Sequence, residues 1–338
     1  MAMPSQIDTY VEKRFMPKVV DIVTTHDPFF ERLWTKKETK VGGSGTRVPL
    51  RYGENTNVGT YKPHGDFRKV VPETKTHCNM GWANYYANIL LSRLEALQAK
   101  GEAALLTTLV KDQIEEGELA LRGRITKDIV HDGSIYVWPA LQGEVVTPIE
   151  GLGKILVQDN TYGGINASTE MITNGVKLWN CYRKNGNDTT YAHLYDTSQA
   201  AYLPMLLRET FGEITDGVDG PTIGIMPQHL YDALWRCSYD KAEAGSMEKT
   251  KIGKLGYTAI EFEGIPFIVN KHMPLDKIWV LNERYFILHV LAGAALTWTG
   301  FNQTQGDSKM GQILLSMALL CSNRNKQGEI YGLSDNRS

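Results

Sequence analysis

The chain has 338 residues, 42% of them apolar and 22% charged, with a formal net charge of -2. That length points to about two domains, and the balance of apolar and charged residues excludes a wholly disordered chain. A protein whose main task is to grip nucleic acid carries a dominant basic domain or stripe, and this chain has none.

Residues 1–40 read as a short helical start and an arm. Met1 to Val20 mixes Asp8, Glu12, Lys13, Arg14 and Lys18 into its apolar residues, unlike a signal peptide. Phe29, Phe30 and Trp34 need a surface to bury against, either the chain's own domain or a neighbouring subunit. From residue 41 to about 88 an extended loop is expected. Thr46, Val48, Leu50 and Tyr52 alternate with Arg47, Pro49 and Arg51, the period of a strand with one polar face. A glycine-studded β-hairpin fits, and such a hairpin is marginal unless it lies on another surface. Arg47, Arg51, Lys62, Arg68, Lys69 and Lys75 outnumber Glu54, Asp66 and Glu73, so this loop is net basic. Ile89 to Val130 has no proline and many strong helix formers. A helix of about 40 residues, about 60 Å long, is predicted there. Gly117 is a candidate break, and Glu115, Glu116 and Glu118 are an acidic cluster on the helix.

Residues 145–277 alternate strand and helix signals: a helix over Ser198–Phe211, a strand over Thr222–Met226 leading into a helix over Pro227–Cys237, and a strand over Ile265–Val269. This is a mixed α+β pattern. Beyond residue 278, Val290, Ala292, Ala294, Leu296 and Trp298 share one face, and Ile313, Leu315, Met317, Leu319 and Cys321 share another. A long antiparallel pair flanking Asn302–Lys309 is expected, with a buried helix as the alternative for Ile313–Cys321.

The search for chemistry is nearly empty. No P-loop, Gly-x-Gly-x-x-Gly or His-Glu-x-x-His is present, and none of the eight histidines has a ligand-spaced partner. Cys78, Cys181, Cys237 and Cys321 are scattered with no Cys-x-x-Cys pair, which argues for plain thiols. No apolar run is long enough for a membrane helix. No catalytic, cofactor-binding or metal-ligating residue is assigned.

The stretch Asp159-Asn160-Thr161-Tyr162-Gly163-Gly164-Ile165-Asn166 resembles a turn found in one family of tailed-phage major capsid proteins. Further pieces follow in that family's order: Trp179, the helix at 198–211, Gly220-Pro221, Tyr231, Gly256-Tyr257, Ile260 through Phe267, Leu281-Asn282, Gln312, Cys321, Asn323-Arg324, Gln327-Gly328 and Gly332. The resemblance covers about residues 150–333. It implies an α+β fold of the Hong Kong phage type, shared with herpesvirus capsids and encapsulins. The layout would be an N-terminal arm (1–40), an extended β-hairpin loop (41–88), a peripheral domain with a long spine helix (89–145 and 286–338) and an axial domain (146–285). The function implied is structural, without catalysis or cofactor: self-assembly into pentamers and hexamers of an icosahedral head that encloses double-stranded DNA. Because the chain begins almost at the arm, a separate scaffolding protein is expected. Portal and decoration proteins are further partners, DNA contact is non-specific, and the locations are the virion and, during assembly, the host cytoplasm. Expected subunit contacts are Arg47, Arg51, Arg68 and Lys69 against Glu115, Glu116 and Glu118, together with Phe29, Phe30 and Trp34. The rival readings are an encapsulin-like compartment shell and an α+β enzyme with a scattered site.

Overall fold

The computed structural model describes residues 28–53, 57–61, 63, 74–92, 103–131, 148–173, 175–186, 202–239, 249–252, 257–303 and 308–333. The elements begin with helix α1 (Pro28–Thr35) and strands β1 (Glu38–Lys40), β2 (Gly45–Arg51), β3 (Lys75–Gly81) and β4 (Ala83–Ser92). Helix α2 (Ala103–Val130) and the single turn α3 (Leu152–Ile155) follow, then short strands β5 (Thr161–Tyr162), β6 (Ile165–Asn166), β7 (Ile172–Thr173), β8 (Val176–Lys177) and β9 (Tyr182–Asn185). Next come α4 (Tyr202–Ile214), β10 (Ile223–Met226), α5 (Gln228–Tyr239), β11 (Lys249–Ile252), β12 (Tyr257–Phe262), β13 (Ile265–Val269) and β14 (Ile278–Leu281). The last strands are β15 (Phe286–Trp298), β16 (Asn302–Gln303), β17 (Ser308–Cys321) and β18 (Gly328–Tyr331). Among the described residues no helix is long and apolar enough to cross a membrane.

The chain forms two compact units, the first made of residues 1–44, 81–151 and 287–319. Its sheet runs β1-β15-β17-β16, with β4 also paired to β17. The β4–β17 pairing is antiparallel and unbroken from Ala83↔Met317 to Ser92↔Ser308. Along β4, Ala83, Tyr85, Ala87, Ile89 and Leu91 are buried while Asn84, Tyr86, Asn88 and Leu90 are exposed. Helix α2 packs on the buried side: a methyl group added to Gly117 would touch Ala87 at 3.6 Å and Ile89 at 3.8 Å. Its own buried stripe is Val110, Ile114, Leu121, Ile125 and Ile129, at helical spacing.

Two expectations are corrected here. The helix does not begin at Ile89, because Ile89–Ser92 belongs to β4, and α2 spans 28 residues, about 42 Å. Gly117 does not break it either, since that glycine lies where helix meets strand. Alternating burial and ten cross-strand partners outweigh the helix propensity of this stretch. Phe29 and Phe30 are each 1% exposed and Trp34 is 5% exposed, all within their own chain, so they are core anchors of α1 and not free subunit contacts. β17 is a strand with Ile313, Leu315, Met317, Leu319 and Cys321 fully buried. On β15 the buried phase of Phe286, Leu288 and Val290 is interrupted by exposed Ala292, with positive φ at Gly293 (84°) and Leu296 (54°).

The second unit comprises residues 45–80, 152–286 and 320–338. Its seven-stranded sheet runs β11-β12-β13-β10-β14-β18-β9. β10 is parallel to β13 and β18 is parallel to β9, while the other pairings of this sheet, such as β10–β14 and β14–β18, are antiparallel. The central strands β10 and β14 are buried at every position, as a sheet covered on both faces requires. Leu203, Leu206, Leu207 and Phe211 of α4 and Leu230 and Leu234 of α5 share a core with Phe267, Val280 and Ile330. β2 and β3 form a separate two-stranded ribbon, continued by the Tyr52 N–H donating to the Thr74 carbonyl at 3.0 Å.

Gly224 in β10 lies flat against the Phe267 ring, where an added Cβ would fall 2.1–2.7 Å from ring atoms. Gly224→Ala is expected to lower stability by about 1–3 kcal/mol through overpacking. Gly212→Ala, at an open position on α4, should leave it unchanged or slightly raised. Urea unfolding midpoints of the two variants check the contrast.

Candidate functional site

The expected contact residues divide by exposure. Arg47 and Arg51 are exposed on β2, opposite buried Thr46 and Leu50, and Lys75 and His77 are exposed on β3 opposite buried Cys78 and Met80. The described hairpin therefore presents a basic outer face. Arg68 and Lys69 lie outside the described residues. On α2, Glu115 and Glu116 are exposed, and Glu115 pairs with Lys111 at 3.5 Å.

Glu118 departs from this pattern. It is 2% exposed and continues the Val110–Ile114–Leu121–Ile125 stripe, so it cannot act as an exposed partner for a basic loop. Its Oε2 has no hydrogen-bond partner, and burial, assisted by Glu115, pushes its carboxyl up to about 7. The acidic cluster is thus two surface acids and one interior acid. The i, i+4 spacing from Ile114 was the sequence signal for this, obscured by the run of three glutamates.

The signature stretches converge in the second unit. The β5–β6 ribbon turns at Gly163 (φ 61°) and Gly164 (φ 78°). A Cβ on Gly163 would lie 2.1 Å from the Cys78 Sγ, and the Asn79 N–H donates to the Gly163 carbonyl at 2.8 Å. The Cys321 N–H donates to the Tyr162 hydroxyl at 3.0 Å, and the Trp179 indole N–H donates to the Tyr162 carbonyl at 3.2 Å. The two rings stack with centroids 6.0 Å apart. Arg324, 0% exposed, lies over both rings at 5.3 and 5.8 Å. Its Nε donates to the Ile155 carbonyl at 2.8 Å, and its Nη2 donates to the Asn160 Oδ1 at 2.8 Å and to the Val157 carbonyl. Burial holds the Arg324 pKa below its ordinary value and pushes the Cys181 and Cys321 thiols up to about 12, which leaves both thiols inert at neutral pH.

A second group adjoins in sequence. The Asn282 N–H donates to the Gln327 Oε1 at 2.9 Å and the Gln327 amide donates back to the Asn282 carbonyl at 3.3 Å. The Asn282 Nδ2 also reaches the Gly220 carbonyl at 2.8 Å and the Asp219 Oδ1 at 2.9 Å. The Tyr285 hydroxyl donates to Asp219 and holds its carboxyl below the usual range. Glu329, 1% exposed, is paired with Arg183 at 2.5 Å and Lys277 at 2.9 Å. These groups hold one another through most of their polar atoms, with the buried Arg324 Nη1 left without a partner, and among the described residues no cluster of His, Cys, Asp or Glu could hold a metal ion.

A sheet of long strands packed on one long helix, a separate basic ribbon and a seven-stranded mixed sheet make up the described fold. No family model matches the chain, and no curated protein matches it by sequence. Solved structures do match. The chain is similar to the capsid asymmetric unit of cyanophage A-1(L), with a TM-score of 0.59 and 12% identity over 92% of this chain and 94% of that one. It is similar to the SrpI encapsulin of Synechococcus elongatus, with a TM-score of 0.53 and 11% identity over 92% and 89% of the two chains. The capsid of an empty GTA particle gives a TM-score of 0.53 and 8% identity over 92% and 90%. The chain has the α+β capsid fold common to tailed phages and encapsulins.

Two variants test the buried groups. The Glu118 pKa of about 7 lies above its ordinary 4.5, so the folded state binds the extra proton. The stability this contributes is complete below 4.5 and is lost as pH rises through 7. Glu118→Gln should therefore gain on the wild type with rising pH, by about 2–3 kcal/mol at pH 8. Denaturation series at several pH values read this directly, and parallel curves for the two proteins would contradict it. Arg324→Lys should cost about 3 kcal/mol or more in the same assay, because lysine cannot serve the three acceptors and both rings together.

Proposed function

We propose that the chain is the major capsid protein of a tailed phage, a structural protein that tiles an icosahedral head as pentamers and hexamers around double-stranded DNA. The observation that supports this reading best is a capsid fold shared over 92% of the chain with a cyanophage capsid, together with the sequence resemblance of the Asp159–Asn166 turn. The first unit would serve as the peripheral domain and the β10–β14 sheet as the centre of the axial domain. The β2–β3 ribbon would be the extended loop, and residues 1–40 the arm. A separate scaffolding protein, a portal protein and a decoration protein are the proposed partners. DNA contact would be non-specific, with assembly in the host cytoplasm and final residence in the virion.

In this reading the basic face of the ribbon, through Arg47 and Arg51, crosses onto Glu115 and Glu116 of a second copy. Arg68 and Lys69 extend the same loop by sequence. Each exposed pair contributes about 0–1 kcal/mol, so the repeated array matters and no single bridge does. The similarity to an encapsulin supports a second reading, a cellular compartment shell of the same fold. Negative-stain electron microscopy of the purified protein tests both. Round shells or rings are expected, and phage or compartment is then decided by whether shells isolated from the producing cell hold DNA or a protein cargo. A small oligomer that never assembles would sink both readings.

Charge reversal at Glu115→Lys with Glu116→Lys is expected to raise the protein concentration needed for assembly and to flatten its salt dependence. Adding Arg47→Glu and Arg51→Glu should restore part of both. Light scattering across a salt series measures it, and unchanged assembly in the first variant would rule out this contact.

A further inference from the structure

We propose that Val218 is a contact knob for a second copy of this chain, presented on a pre-ordered turn whose two carboxylates are already paired internally. Asp216 and Asp219 exchange backbone hydrogen bonds at 2.9 and 3.0 Å, which closes a two-residue turn at Gly217-Val218. Gly217 takes φ 62° at the first central position, as a type II′ turn requires. The second central position favours small polar residues that bond their own backbone. Val218 gains nothing there and is 100% exposed. A single exposed apolar side chain is ordinary on a protein surface. A β-branched one at a tight turn, where local chemistry argues for asparagine or serine, is not accounted for by the fold of one chain.

The turn is also held more firmly than a connection needs. Asp219 accepts from the Asn282 Nδ2 at 2.9 Å and from the Tyr285 hydroxyl, and it faces the Arg284 Nη1 at 3.6 Å. Asp216 faces the Lys326 Nζ at 3.4 Å. The knob is ordered before any partner arrives, so association loses little further conformational entropy. Its acids are paired within the chain, and the Asp216 side chain remains 84% exposed, so a partner would meet an apolar tip beside a carboxylate. Two carboxylates flanking the tip argue against a phosphate backbone as that partner. A repeated copy fits best, since the shell reading requires every subunit to touch copies of itself through surfaces that rings reuse. The proposal rests on that reading.

The test compares full-length wild type, Val218→Asn and Val218→Asp by light scattering and electron microscopy over a range of protein, salt and crowding-agent concentrations. Val218→Asn suits the turn, so its thermal midpoint should equal or exceed the wild-type value. Its assembly threshold should nevertheless rise about tenfold or more. Val218→Asp should remain folded and fail to assemble wherever the wild type does. Equal thresholds for all three proteins would overturn the contact while leaving the shell reading intact. A wild type that never assembles would overturn both. A second readout is Val218→Cys treated with a maleimide and mapped by mass spectrometry: protection in shells relative to free subunits supports the contact, and equal labelling overturns it.

Discussion

A guanidinium removed from water needs acceptors for its N–H groups and a polarisable surface for its charge; inside the second unit Arg324 finds acceptors at Nε and Nη2 and two aromatic rings, while its Nη1 stays unpaired. Its acceptors come from residues 155–160 and its rings from Tyr162 and Trp179, so one side chain ties the chain after β17 to a region some 160 residues earlier. The ends of β17 and the start of β18 take their positions from this tie. The Cys321 N–H bond to Tyr162 and the Gln327–Asn282 exchange complete it. A hydrophobic replacement would fill the space but leave the Ile155, Val157 and Asn160 oxygens without their donor. The residues that mark the sequence signature are therefore frame residues, and their chemistry is fixation.

Much of the architecture could be read from the chain itself, and the failures have specific causes. The β2 alternation, the β17 run and the strand–helix step at Ile223–Tyr239 appear where their periods place them. β4 was missed although Asn84, Tyr86 and Asn88 alternate with its buried residues, because the stretch runs on into a segment rich in Leu and Ala and its partner β17 lies more than 200 residues away. Long-range pairing of that kind leaves no mark in a local window. The Glu118 error arose from reading charge type without helical phase. For Phe29, Phe30 and Trp34 the sequence left two surfaces open, the chain's own domain and a neighbour, and the helix α1 buries all three within the chain. Convergence on Arg324 was legible only as a list of separated fragments, because nothing in their spacing says they meet.

The polar groups fall into two populations with different physical roles. Inside, Glu329 with Arg183 and Lys277 is paired and shielded, so it fixes geometry and responds weakly to salt, while Asp219, at the edge of an exposed turn, is held by Asn282 and Tyr285. Outside, Arg47, Arg51, Glu115 and Glu116 remain in high dielectric, where any attraction is weak and screened. The chain thus combines firm internal ties with weak, screened charges on its surface.

The order of strands in the seven-stranded sheet has a consequence for synthesis. β18 lies between β14 and β9, and among the described strands β9 is paired with β18 alone. A nascent chain that has released β9 must wait for nearly all the remaining residues before that strand finds its neighbour, on the order of ten seconds at ordinary elongation rates. Until then the sheet is open at β14 and the tie through Arg324 does not exist. A translation product interrupted before β18 therefore lacks the finished sheet of the second unit.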